Sequence, residues 1–193
     1  MDAGTAIGSV FAAFGLSSAA GLNAWLPLFA GALLDRLDVV ELAEPFGSLS
    51  TNAGLAVLAA FLVADFVGDK VPVVDHILHL AGTVVHPAAG AVLFTGQTGL
   101  ETDLPTIVAV VLGALTAGSI HAGRAAVRPA ATTTTAGFGN PVLSLGEDAA
   151  SGLLTLAAFA FPVLGVLLVL ALVAGLVAGI RLLRPRNHRV GRG

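Results

Sequence analysis

An all-α integral membrane protein of about five transmembrane helices is predicted by three observations. Hydrophobic residues make up 56% of the 193 and charged residues only 11%, which is too little polar surface to cover a water-soluble globule. The apolar residues fall into runs of membrane-spanning length, since a hydrocarbon core of about 30 Å takes about 20 helical residues. Finally, a pattern that interrupts one such run occurs twice. Ala20-Gly21-Leu22-Asn23-Ala24-Trp25-Leu26-Pro27 and Ala122-Gly123-Arg124-Ala125-Ala126-Val127-Arg128-Pro129 share A-G-x-x-A-x-x-P at an offset of 102 (122 less 20). A second pair, Gly54 to Phe61 and Gly152 to Phe159, shares G-L-x-x-L-A-A-F at an offset of 98 (152 less 54).

In chain order, the expected spans cover 5–34, 52–69, 73–96, 104–127 and 149–182. The first and last are too long for one straight crossing; Gly21 and Pro27 break or bend the first, and Pro162 kinks the last by removing a backbone donor. The first run lacks a basic region ahead of it and is not expected to be a cleaved signal. Lys70-Val71-Pro72 makes a tight hairpin between spans two and three, and 129–148, rich in Thr, Gly and Asn, reads as a polar, partly re-entrant connection. Matched spans three crossings apart run in opposite directions, so the chain is expected to be a single membrane domain (1–193) with an inverted-topology internal repeat: about 5–69 and 104–182, linked by the span at 73–96. Five arginines (Arg181, Arg184, Arg186, Arg189, Arg192) in the last thirteen residues mark a basic tail, 183–193, that belongs on the cytoplasmic side.

Ionisable residues inside a membrane are costly unless paired or hydrated and therefore mark candidate sites or pathways. Asp65 and Asp69 share a helix face, while Asp75, His79 and His86, with His76 adjacent, form a stripe down span three. An Asp/His stripe suits a proton relay, because imidazole titrates near neutral pH. The same ligand types suit zinc, but the pattern is not H-E-x-x-H and no second cluster completes four ligands, so no metal or other cofactor is expected. His121, Arg124 and Arg128 line one face of span four, where two guanidinium forks suit a phosphate or carboxylate; the alternatives are pairing with Asp65, Asp69 or Glu147, or snorkelling to headgroups. Of these, Asp69 with Arg124 is the contact expected. Thr132 to Pro141, with Asn140, offers hydroxyls and a turn that would gate or line a cavity. The absence of cysteine excludes disulfides and thiol chemistry, and nothing resembles a nucleotide loop, a catalytic triad or a nucleic-acid surface.

Ala20 to Pro27, Gly68-Asp69-Lys70-Val71-Pro72-Val73-Val74-Asp75-His76, Thr83 to Ala91, and Thr132 to Asp148 with its Asn-Pro-Val-Leu-Ser-Leu-Gly-Glu-Asp run together resemble a bacterial membrane family, domain of unknown function 4126. The resemblance covers almost the whole chain and implies a small multi-pass protein of a bacterial plasma membrane; it supplies no activity. A basic residue often precedes the proline where this chain has His86, which makes a general cationic role there more plausible than a relay. The leading expectation is a non-enzymatic transporter or translocase. Its partners would be the bilayer and an anionic solute or lipid headgroup, with proton coupling through the Asp/His stripe and homo-oligomerisation left open. The rival is a non-transporting accessory subunit of a larger membrane complex.

Overall fold

The computed structural model describes residues 3–68, 72–135 and 139–183, without the side chains of 72–77, 79, 130, 131, 134 and 183. These residues form eight helices: α1 (Ala3–Leu22), α2 (Trp25–Arg36), α3 (Phe46–Leu49), α4 (Asn52–Gly68), α5 (Pro72–Thr98), α6 (Thr106–Thr135), α7 (Asn140–Ala160) and α8 (Pro162–Leu183). Four helices among the described residues are long and apolar enough to cross a membrane, over Ala3–Leu22, Thr106–Pro129, Asn140–Ala160 and Pro162–Leu182, and Asn52–Gly68 is a shorter apolar helix. The chain is an all-helical, multi-pass membrane protein.

Helix α1 is the axis of the molecule. Over its membrane-length window 61% of residues are buried, against 6% for α8, whose Val163, Leu167, Leu170 and Leu182 face outward. Lipid tails solvate Leu and Val as well as another helix does, so helices associate in a bilayer through close backbone approach and interhelical hydrogen bonds. The contact face of α1 is built that way. A Cβ on Gly15 would lie 2.8 Å from the Ala158 Cβ, and one on Gly21 would lie 2.6 Å from the Ala117 carbonyl oxygen. The Ser17 hydroxyl donates to the Gly90 carbonyl at 3.0 Å, and that of Ser151 to the Ala19 carbonyl at 3.0 Å. Gly90 and Gly113 bring α5 and α6 together in the same manner, because a side chain on either would run into the other's carbonyl.

These contacts also set helix direction, and they change the expected topology. Ala13 shares a buried cluster with Phe94 and Ala109, whereas Leu22 reaches Arg124; α1 and α6 therefore run parallel, with α5 antiparallel to both. The matched spans one and four thus point the same way, and the packing lends no support to an inverted repeat. The two copies of the interrupted motif also differ. The first separates α1 from α2, but the second lies inside α6, which runs unbroken through Pro129 to Thr135. Asn23 explains the difference: its side chain accepts from the freed Trp25 and Leu26 N–H groups, and the equivalent position in the second copy is Ala125, which has no acceptor.

Three further expectations are corrected. The run 5–34 is not one bent span. Its second half, α2, turns back, so that Gly31 meets the ring of Phe46, which in turn lies against Gly96 near the far end of α5. Stacking of Trp25 on Phe61, with centroids 4.5 Å apart, then joins α2 to α4. The run 149–182 is likewise two helices. Phe161 leaves helical geometry (φ −144°, ψ 77°) ahead of Pro162, and α8 folds back so that Gly165 packs on Ala158 while Leu172 and Leu176 meet the earlier part of α7 around Ala150. The segment expected to be a polar connection is mostly helix. Its Ser144, Glu147 and Asp148, with Ser151 just beyond it, recur at helical spacing and turn one polar face of α7 inward. The Gly139 N–H, donating to the Thr135 hydroxyl at 2.9 Å, closes the turn from α6.

At the end of α2, Val39 N–H donates to the Leu34 carbonyl (3.0 Å) and Asp38 N–H to that of Asp35 (3.1 Å), the two bonds of a Schellman cap. Asp38 takes the left-handed position (φ 55°) that glycine usually fills. Asp38→Gly is expected to raise stability by up to about 1 kcal/mol, and Asp38→Val to lower it by about 1–2 kcal/mol. Thermal unfolding in detergent checks both.

Candidate functional site

The site is the tip of the α1–α2 hairpin. A helix ends with four carbonyls that lack intrahelical donors and with a partial negative charge. In water these cost little; inside a bundle each needs a donor. Three neighbouring helices donate here, and the Asn23 N–H also reaches the Ala19 carbonyl, at 3.0 Å. Ser151 of α7 donates to the Ala19 carbonyl, His86 of α5 places Nδ1 2.5 Å from the Ala20 carbonyl, and Arg124 of α6 donates from Nη1 to the Leu22 carbonyl. Two of these donors are basic residues, the charge type that a helix C-terminus favours.

Asn23, 2% exposed, sits at the apex. Its Oδ1 accepts from the Trp25 and Leu26 N–H groups at 3.0 Å each. Its Nδ2 donates to Asp65 Oδ2 on α4 (3.1 Å) and to Asp148 Oδ1 on α7 (2.8 Å). The opposite amide orientation would aim an oxygen at two carboxylates and a nitrogen at two N–H groups, so the network itself assigns the amide. One neutral side chain thereby caps α2 and clamps two acidic residues from different helices.

Behind the tip the rings of His86 and His121 stack with centroids 4.3 Å apart, and the pair is 7% and 4% exposed. Gly82 makes room for them, since a Cβ there would lie 2.9 Å from His121 and 3.0 Å from His86. With Nδ1 of His86 donating to the Ala20 carbonyl, its Nε2 presents a lone pair towards Arg124 Nη2, 3.4 Å away.

The cationic face of α6 meets the polar face of α7. Glu147 Oε2 lies 3.1 Å from Arg124 Nη1 and 2.7 Å from Arg128 Nη2, and Arg128 also donates to the Ser144 hydroxyl at 3.0 Å. The three charged side chains are only 11–15% exposed. Beside them opens a cavity of about 270 Å³ between α6, α7 and α8, with apolar walls from Leu22, Val127, Val142, Leu143, Leu172 and Leu176. Chemically the arrangement offers a forked pair of anion donors, a resident carboxylate that competes for them, and an imidazole pair in contact with one of them.

Of the residues singled out in the sequence, Asp65, His86, His121, Arg124 and Arg128 converge here. Asn140 opens α7 at the margin, its Oδ1 3.1 Å from the Thr132 hydroxyl. Asp69 lies outside the described residues, as do the side chains of Asp75, His76 and His79 and the tail from Arg184 onward. The expected pairing of Asp69 with Arg124 therefore falls outside them too; among the described residues Glu147 places a carboxylate on Arg124. Sequence reasoning did not single out Asn23, Ser144, Asp148 or Ser151. The available signals were an asparagine at the apex of the broken motif and the inward periodicity of 144, 147, 148 and 151.

No curated protein and no solved structure matches the chain significantly. A family model does: that of the domain of unknown function (DUF4126) matches residues 10–183, a stretch that holds every residue of the hairpin-tip network. The chain belongs to this family.

Proposed function

We propose that the protein is a small membrane transporter or translocase for an anion, with Arg124 and Arg128 as its recognition pair and His86 and His121 as a proton-handling pair beside it. The observation that carries this reading is the sharing of one carboxylate, Glu147, by two guanidiniums at the wall of a cavity. A phosphate or carboxylate offers the same oxygen geometry as Glu147 and can take its place. Intramembrane charge of this kind is costly, which favours a working role over an ornamental one. The acidic end of the molecule (Asp38, Glu41, Glu44, Glu101, Asp103) and the end of α8 bearing Arg181 lie on opposite sides, and the positive-inside rule puts the latter in the cytoplasm, here of a bacterial plasma membrane.

The test is flux in proteoliposomes, using inorganic phosphate, a short-chain carboxylate and a labelled anionic phospholipid, with and without a pH gradient. Transport of at least one, reduced tenfold or more in Arg124→Gln, is expected; no flux across the panel and no gradient dependence would overturn it. The pairing of Arg124 and Arg128 with Glu147 also favours a second reading, a non-transporting accessory subunit whose charges are purely structural. A stoichiometric partner retained through mild-detergent purification, together with absent flux, is its signature.

A further inference from the structure

From the cavity's position and lining we infer that the anion it takes is a membrane lipid, entering sideways from the leaflet on the Arg181 side, with a monoanionic phosphodiester headgroup. This rests on the anion reading and names its ligand. The first observation is depth. Val127 packs on Gly179 and Gly123 on Leu176, so Arg124 and Arg128 lie alongside the last two turns of the apolar stretch 162–182 of α8. At 1.5 Å per residue that stretch is about 30 Å long and matches a hydrocarbon core. Arg128 therefore sits about half a helical turn inside the hydrocarbon boundary, within reach of the phosphates just beyond it, and Arg124 about one turn deeper.

The second observation is size. A volume of about 270 Å³ falls just below the range of enclosed small-molecule sites, roughly 300–1,000 Å³. It accommodates a headgroup and the start of a chain, not a whole lipid. The rim is apolar and open to the bilayer: Val142, which lines the cavity, is 70% exposed. A soluble anion gains nothing from those walls, whereas an acyl chain remains in lipid along them.

The third observation is charge. The lining presents two guanidiniums, whose planar forks match the oxygens of a phosphate. A phosphodiester with no other ionised group brings these forks only the charge they bind, whereas a zwitterionic headgroup carrying a quaternary ammonium would bring a third cation against the two arginines.

Gly146 permits a clean test. It lines the cavity, and a Cβ there meets nothing within 4 Å. Gly146→Leu should fill the headgroup space without disturbing the fold. The full chain would be purified in mild detergent and offered dioleoyl phosphatidylglycerol, dioleoyl phosphatidylcholine or inorganic phosphate, with retention read by native mass spectrometry and Tm recorded alongside. The wild type is expected to retain phosphatidylglycerol at least tenfold better than phosphatidylcholine. Gly146→Leu should lose that retention tenfold or more at an unchanged or higher Tm, and Arg128→Gln should lose the preference between the two lipids. Equal retention of both lipids, phosphate binding that phosphatidylglycerol does not displace, or full retention in Gly146→Leu would overturn the inference. Should the lipid bind and no flux be found, the transport reading fails and this site stands. Should phosphate flux persist unchanged in Gly146→Leu, transport stands and this site fails.

Discussion

Asn23→Asp is expected to be among the most destabilising substitutions in the chain, although it exchanges only an NH₂ for an oxygen. The new side chain still accepts from the Trp25 and Leu26 N–H groups, so the cap of α2 survives and the loss isolates the clamp. Two hydrogen bonds to carboxylates disappear, each worth about 1.5–3 kcal/mol, and a third carboxylate arrives between Asp65 and Asp148. A loss of roughly 3–6 kcal/mol approaches the whole stability of a typical domain, about 5–15 kcal/mol, so the variant should be recovered poorly or melt far below the wild type. Adding Asp148→Asn returns one amide to the cluster and should recover part of the loss. Thermal unfolding of the four members of this double-mutant cycle is the measurement. Strictly additive losses would mean that Asn23 and Asp148 do not act as a pair.

Glu147→Gln comes second in expected size. It keeps the shape of the side chain and removes the charge that Arg124 and Arg128 share at 3.1 and 2.7 Å. Removing one member of a buried ion pair costs about 3–5 kcal/mol, because the desolvation of the remaining charge is no longer offset. Arg128→Gln in the same background should restore part of the loss, measured again as coupling in the unfolding temperatures. The proposed function makes a further demand on this variant. With the resident carboxylate gone, an anion no longer competes for the guanidiniums, so phosphatidylglycerol should raise the Tm of Glu147→Gln by more than it raises that of the wild type. An equal rise in both would leave Glu147 as a structural partner and count against displacement as the mode of binding.

The cationic face of α6 was legible before the fold, and its reason is local. His121, Arg124 and Arg128 recur at helical spacing in an apolar run, and periodicity alone places them together. Asp65 near the end of α4 was legible on the same ground. The polar first half of α7 was not, because its composition resembles a loop while its periodicity describes a helix with one polar face; Ser144, Glu147, Asp148 and Ser151 have meaning only once that face has a neighbour. The interrupted motif misled in the other direction. Two matching patterns suggested two matching breaks, yet only the copy with Asn23 can satisfy the N–H groups that a break exposes.

The sequence by itself determined what is written in composition and short-range pattern: a helical multi-pass membrane protein, its apolar runs, the cationic stripe of α6 and the family to which it belongs. Tertiary structure alone decided which way each helix runs after a break, and who answers the carbonyls at the end of α1. In a bilayer both the lipid-facing and the buried face of a helix are apolar, so hydropathy carries little information about neighbours. Neighbours are chosen instead by glycine contacts and by hydrogen bonds such as those from His86, Arg124 and Ser151 to Ala20, Leu22 and Ala19, which join residues far apart in the chain. No local pattern encodes those partners, because each becomes a donor to the tip only when the other helices have brought it there.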